Sequence, residues 1–349
     1  MLRLSSLITV LAGVALGQTP EVKVEGNTPP GSFWQRLHYT GLVDAFGGAH
    51  LESSQPTVDR VFDTNGRGVQ LSYAKVGLWL DAAPIGFRVD VGFGQTIEVL
   101  SADTAVPVLR QFEQLYVSGT VPLHRGITID FGRFLSPSGN ESVDTRQSWL
   151  YSRALLFGAA PFTHTGFRVT APLSDAVTLL AGVVQGWDVI IDNNPGKTFF
   201  VSSVVTPSKS QTFALALFGG PELSDEGTWR FLIDGVWTAK LPRQFELSAN
   251  VDAALEGPRA WYGASLSGHV TLERFDFAVR AEAFNDPQNV RLKLDQAPGA
   301  GAYAWEATVS ARATLNQYLQ ARLEFRHDQL VGRASVPQDT LTFAVVAGL

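Results

Sequence analysis

Fourteen ionisable side chains stand at alternate positions between apolar neighbours, and their spacing is the most informative chemistry in the chain. They fall in six short stretches: Arg88 with Asp90, Arg230 with Asp234, Glu246 with Asp252, and Asp276 with Arg280 and Glu282. The remaining two are Glu306 with Arg312, and Arg322 with Glu324 and Arg326. A period of two places each set on one face of an extended chain. Both signs recur, so this face suits ion pairs or a wetted wall acting weakly on passing ions. One long connection adds Glu141, Asp144, Arg146, Trp149 and Arg153, a set that could meet such a wall if the connection folds inward.

Other constellations carry less. The six histidines (His38, His50, His124, His164, His269 and His327) show no i, i+4 metal spacing, and no nucleophile elbow is present. His269 shares a face with Ser265 and Ser267, the beginning of a hydrolase set, but a polar wall facing water has the same pattern. His164 reads as an organiser of its loop. Gly196-Lys197-Thr198 ends like a phosphate-binding loop, yet Ile191 stands where its first glycine should be and no helical pattern follows. Asp188, Asp192, Asn193 and Asn194 offer oxygen ligands at a spacing unlike an EF-hand, and turns favour these residues in any case. Cysteine is absent, which removes thiolate metal sites, disulfides and a cysteine nucleophile. No metal or cofactor is expected.

The elements that must position the alternating charges are β-strands. In the stretch 303–328, Trp305, Ala307, Val309, Ala311 and Ala313 alternate with Glu306, Thr308, Ser310 and Arg312; a turn at Leu315-Asn316-Gln317 follows. Leu319, Ala321, Leu323 and Phe325 then alternate with Gln320, Arg322, Glu324 and Arg326. Each strand is about ten residues long, the length of a tilted transmembrane β-strand. Strands of this kind run to the end of the chain, with a phase change near Tyr73-Ala74 that predicts a bulge. Tight turns, as at Pro172–Asp175, Lys240–Pro242 and Leu272–Arg274, alternate with long polar connections, the longest being Leu135–Phe162. The pattern predicts about sixteen strands with both ends on the short-turn side, as in a closed antiparallel transmembrane barrel with short periplasmic turns and long extracellular loops. A soluble secreted β-sandwich would also alternate its faces, but its Greek-key links have no reason to alternate short and long.

Composition agrees with a barrel. Charged residues make up 17% of the 349-residue chain, against roughly 25% in soluble domains, while the hydrophobic share is an ordinary 45%. A net charge of −6 without basic runs leaves no footprint for nucleic acid. No stretch reaches the ~20 apolar residues of a membrane helix. Arg3, the apolar run Leu7–Leu16 and the small-residue ending at Gly17 read as a cleavable export signal over residues 1–17. Residues 18–35 then form a periplasmic lead-in, and 36–349 the barrel. Aromatic girdles are expected from Trp79, Phe87, Trp237, Phe245, Phe275 and Tyr318 at the short-turn ends, and from Phe93, Phe134, Trp187, Trp229, Trp261 and Tyr303 at the long-loop ends.

Several segments together resemble the β-barrel porin-2, or OmpL-like, family: Gly86-Phe87-Arg88-Val89-Asp90-Val91-Gly92-Phe93-Gly94, Leu155-Leu156-Phe157-Gly158, Pro161-Phe162-Thr163-His164-Thr165-Gly166, Phe284-Asn285-Asp286-Pro287 and Leu323-Glu324-Phe325-Arg326-His327-Asp328. Gly186-Trp187-Asp188 with Asp192-Asn193-Asn194 belongs to the same series, and the resemblance covers about Leu37 to the end. It implies passive diffusion of small hydrophilic solutes or ions through the barrel, in outer-membrane lipid, after insertion by the barrel assembly machinery. The ending Val346-Ala347-Gly348-Leu349 departs from the terminal aromatic residue that this machinery reads in such barrels. A lipase- or protease-type barrel enzyme is the alternative. Charges on a lipid face cost about 2–4 kcal/mol at midplane, so the fourteen are expected to line the pore. The loop residues Glu141, Asp144, Arg146, Trp149 and Arg153 are expected to form its constriction.

Overall fold

In the structure, a computed structural model, residues 33–51, 60–64, 68–102, 104, 106–223, 227–293, 301–331 and 335–349 are described. The expected export signal and most of the lead-in lie outside them. Sixteen strands close into one antiparallel barrel in which each strand pairs with its sequence neighbours and the first meets the last. They are β1 (Leu37–His50), β2 (Val69–Leu80), β3 (Ile85–Phe93), β4 (Phe112–Val121), β5 (Ile127–Leu135), β6 (Thr163–Pro172), β7 (Val177–Val184) and β8 (Thr198–Ser208). The other half comprises β9 (Gln211–Pro221), β10 (Trp229–Leu241), β11 (Phe245–Glu256), β12 (Arg259–Leu272), β13 (Phe275–Asp286), β14 (Ala302–Asn316), β15 (Leu319–Val331) and β16 (Ser335–Gly348). Closure leaves no free sheet edge, which a sandwich would have.

Strand alternation creates the two environments. Along β14 and β15, Val309 and Leu323 are 52% and 51% exposed on the outer face, while Glu306 and Arg322 are each 1% exposed inside. The seam joins β1 to β16 in antiparallel register from Leu42 opposite Gly348 to His50 opposite Thr340. The phase change in β2 is real but displaced: Asp44 pairs with Tyr73 and Ala45 with Leu71, which leaves Ser72 as the extra residue. Ser72 and Tyr73 are both buried, so the bulge turns two consecutive side chains inward.

The wall is uneven. Strands β3 to β7 have 8–10 residues, whereas β10 to β16 have 12–15. The long connection 136–162 leaves from this low side, between β5 and β6. Gly132, at φ 134°, takes a conformation open mainly to glycine, and after it Arg133, Phe134 and Leu135 are all buried as the chain bends into the lumen. The girdle expectation needs a correction at the same rim. Phe93, Trp229 and Tyr303 are exposed outside, but Phe134, Trp187 and Trp261 are 0%, 5% and 0% exposed and point inward. An apolar cluster inside the long-loop end of the barrel accommodates them.

A lysine on the outer face should destabilise according to depth. Val309→Lys, at mid-strand, should cost about 2–4 kcal/mol, and Leu315→Lys, near the short-turn rim, about 0–1 kcal/mol. Urea unfolding in lipid vesicles measures both, and equal costs would contradict the assigned lipid face.

Candidate functional site

The inward charges of the tall wall form a continuous alternating ladder. Arg60, from the first long connection, is 2.6 Å from Asp328, and Arg326 is 2.7 Å from the same carboxylate and 3.7 Å from Glu306. Arg280 lies 2.6 Å from Glu306 and 2.6 Å from Glu141 of the long loop. These groups are buried, so each cation needs an anion on both sides to offset its lost hydration. The ladder therefore ties one wall to two loops.

The loop 136–162 crosses the lumen, and wall side chains bond its backbone at many points. Glu324 accepts the amides of Tyr151 and Ser152 at 2.6 and 2.8 Å, while Glu282 accepts those of Leu155 and Leu156 at 2.7 and 2.7 Å. Arg322 donates to the carbonyls of Thr145, Ser148 and Leu150 at 2.5, 3.1 and 3.2 Å, and Arg326 donates to that of Arg153 at 2.6 Å. Arg153 itself folds back on the loop, donating to the carbonyls of Ser142, Tyr151 and Val143. On further strands, Asp234 accepts the Gly139 amide at 3.0 Å, and Ser248 accepts from Asn140 at 2.8 Å. Across the lumen, the Tyr151 hydroxyl reaches Asp44 at 3.1 Å, Arg146 donates to Thr40 and to the Leu349 carbonyl, each at 3.2 Å, and Asp144 lies 3.9 Å from Lys75. Hydrogen-bonded backbone is the condition for burying a loop at all.

Apolar packing completes the insertion. The short helix α1 (Leu155–Ala159) puts Leu155, Leu156 and Ala159 into a cluster with Trp261, Phe284, Ala304 and Leu330 of the wall. Val143 packs with Leu42, Tyr73 and Val346, and Tyr151 with Phe46 and Ala344. Trp149 stacks on His269 at 5.2 Å. The inward apolar residues Phe200, Phe218 and Phe284 were not among the sequence candidates. The Leu155-Leu156-Phe157 run, apolar within a polar connection, was the available signal.

The remaining candidates divide among smaller clusters. Arg88 and Asp90 pair at 2.9 Å, with Gln114 donating to Asp90 at 2.6 Å. Arg230 donates to Glu256 at 2.7 Å and lies over the rings of Trp187 and Trp261. Asp234 and Asp252 are direct cross-strand partners, and Asn250 donates to both at 2.8 and 2.9 Å. Asp276 lies 3.0 Å from His269 and 2.9 Å from Arg312. Glu246 stands apart, half-buried at the short-turn rim opposite Lys240. His164 is buried between Phe200 and Phe218, with Nδ1 2.9 Å from the Gly186 carbonyl. Asp188 fastens the end of the long loop by accepting the amides of Phe162 and Thr163, each at 2.8 Å. Burial pushes its carboxyl up to about 6, and that of Glu222, which accepts the Trp187 amide, up to about 7. Lys197 pairs with Asp192. Among the described residues, no three or more His, Asp or Glu groups converge as a metal cage.

Comparison with known proteins places this geometry. The outer-membrane channel DcaP of Acinetobacter baumannii superposes with a TM-score of 0.62 at 8% identity, over 90% of this chain and 97% of that one. A loop-deletion mutant of OmpT, an outer-membrane protein of Vibrio cholerae, gives 0.61 at 9%, over 90% and 99%. OprB of Pseudomonas putida gives 0.61 at 10%, over 90% and 95%. At such identities these likenesses establish the fold alone. No curated protein matches the sequence. The sequence profile of the family described as beta-barrel porin-2, OmpL-like, matches residues 36–347, nearly the whole barrel. With that match over a sixteen-strand barrel, the chain belongs to the β-barrel porin-2 family of outer-membrane porins.

Proposed function

We propose that this outer-membrane porin passes small hydrophilic solutes by diffusion, with the 136–162 loop as its constriction. One observation carries the reading: the loop lies inside the barrel, hydrogen-bonded to inward side chains of β1, β10, β11, β13 and β15. A bare sixteen-strand barrel encloses an aqueous channel too wide for its own side chains to fill. An inserted loop narrows it, with the partly exposed Glu141, Arg146 and Trp149 supplying the narrowing surface and the buried Asp144 and Arg153 bracing the loop beneath it. The fourteen wall charges divide the work: Asp234, Arg280, Glu282, Arg322, Glu324 and Arg326 bond the loop directly, while Glu246, Arg230 and Arg312 keep partial exposure to the lumen.

A passive channel fits better than a catalyst. His269, the best nucleophile partner by sequence, bonds Asp276 through Nε2 and stacks on Trp149, and its Nδ1 meets no hydrogen-bond partner among the described residues, so neither Ser265 nor Ser267 is held as a nucleophile on it. In this reading residues 1–17 direct export, the short turns face the periplasm, and the assembly machinery inserts the barrel.

Deleting Val143–Ser152 should raise single-channel conductance several-fold and admit larger sugars in a liposome-swelling assay. An unchanged size cutoff in a folded deletion variant would place the constriction elsewhere.

Glu324→Ala tests the attachment itself. It strips two loop amides of their acceptor, at about 1–3 kcal/mol for each buried group left unsatisfied. The loop should then fluctuate, giving noisy open-channel current and trypsin cleavage after Arg146 or Arg153, while the barrel keeps its heat-dependent gel migration. Quiet current and protease resistance equal to wild type would show that Glu324 does not hold the loop.

A further inference from the structure

Beside the inserted helix α1, at the long-loop side, the structure contains a cavity of about 310 Å³. Its walls are apolar where Val61, Leu155, Phe162 and Phe284 line it, and two guanidinium groups, Arg60 and Arg291, share the same space. The two arginines differ in how their charge is met. Arg60 sits between two carboxylates, Asp63 at 2.8 Å and Asp328 at 2.6 Å. Arg291 donates to the Gly158 carbonyl at 2.8 Å and lies over the Trp261 ring at 5.5 Å. Among the described residues it has no carboxylate within ion-pair distance. Asp286, in the same connection, is occupied: its oxygens accept the amides of Val290, Arg291 and Leu292 at 2.9, 2.6 and 2.9 Å.

From this geometry we infer a solute-binding subsite at the outer mouth of the pore, which takes a monocarboxylate with a compact apolar body, the carboxylate on Arg291 and the body against Phe162, Leu155 and Phe284. A half-buried guanidinium beside an apolar cavity gains from an anion that joins it, and its planar fork matches a carboxylate in two parallel hydrogen bonds. Of the two guanidinium groups in the cavity, Arg291 is the one with no carboxylate within ion-pair distance among the described residues, so one negative charge is enough. The apolar walls disfavour a fully hydrated ion such as acetate and favour a ring or branched chain. A volume near the lower end of small-molecule sites limits that body to about one ring. The electrostatics agree, since burial and then the neighbouring Arg230 hold the Arg291 guanidinium below its usual pKa against the opposing pull of the more distant Asp188, Glu256 and Asp286. The subsite stands where an entering solute meets the loop helix, so it deepens the porin reading and rests on it.

Calorimetric titration of the full-length protein in detergent micelles with benzoate, benzyl alcohol and acetate tests the assignment. Benzoate should bind at least tenfold more tightly than either comparison compound, and Arg291→Gln should lower its affinity at least tenfold. Equal affinity for benzoate and benzyl alcohol would overturn the charge assignment, and equal affinity for benzoate and acetate the apolar one. If Arg291→Gln fails to fold, the comparison of the three compounds on the wild-type protein decides alone. Potassium chloride conductance in planar bilayers separates the two readings: a conducting channel whose protein shows no preference for benzoate removes the subsite and leaves the porin. A preference for benzoate in a protein that never conducts removes the porin reading instead.

Discussion

A loop that enters a barrel must find a partner for every backbone amide and carbonyl it removes from water, and the rest of this lumen depends on that requirement. The wall meets it with ionised groups. Glu324 and Glu282 each accept a consecutive pair of amides, and Arg322 spans three carbonyls of one loop turn. A hydrogen bond to a charged group contributes about 1.5–3 kcal/mol, more than one between neutral partners. A water-filled wall would not need both signs so closely spaced, whereas a peptide segment presents donors and acceptors in turn. The mixed charge of the lumen therefore follows from the loop as much as from solute traffic.

The interior is layered. Toward the long-loop rim, Trp187, Phe200, Phe218, Trp261 and Phe284 enclose the helix α1 in an apolar cluster like that of a soluble domain. Around the loop's crossing, the ion-pair ladder from Arg60 to Glu141 takes over. The outer face has no such layering, because lipid asks only for apolar side chains at every depth except the rims. Inward positions thus carry the specific information in this chain, and outward ones the general solvent rule.

That division decides what was legible in the sequence. Strand number, closure and the facing of Val309 against Glu306 followed from a period of two and from the alternation of short and long links, both local signals. The bulge was legible to within a residue or two, but its true position at Ser72 depends on the register with β1. That the loop could turn inward and face Arg280 was legible from its length and charges, but its individual pairings were not. Its contacts join residues more than a hundred positions apart, as Glu141 does with Arg280, and no local pattern encodes such a pairing. Trp187 and Trp261 were misplaced for a related reason, since near a rim an aromatic ring suits both an interface and an interior cluster, and only the arrival of Leu155 and Leu156 decides between them.

The loop also bears on closure of the barrel itself. Arg146 joins Thr40 of β1 to the Leu349 carbonyl just beyond β16, Tyr151 shares an apolar cluster with Phe46 and Ala344, and Val143 shares one with Leu42 and Val346. All of these straddle the line where the first and last strands meet. That junction joins the two ends of the barrel chain and has no covalent turn to hold its register, unlike every other pair in the sheet. A segment fixed to both sides of it opposes slippage in the way a turn does elsewhere. The loop is consequently built against the seam, and it cannot swing aside as a rigid lid without giving up contacts that help to keep the barrel closed.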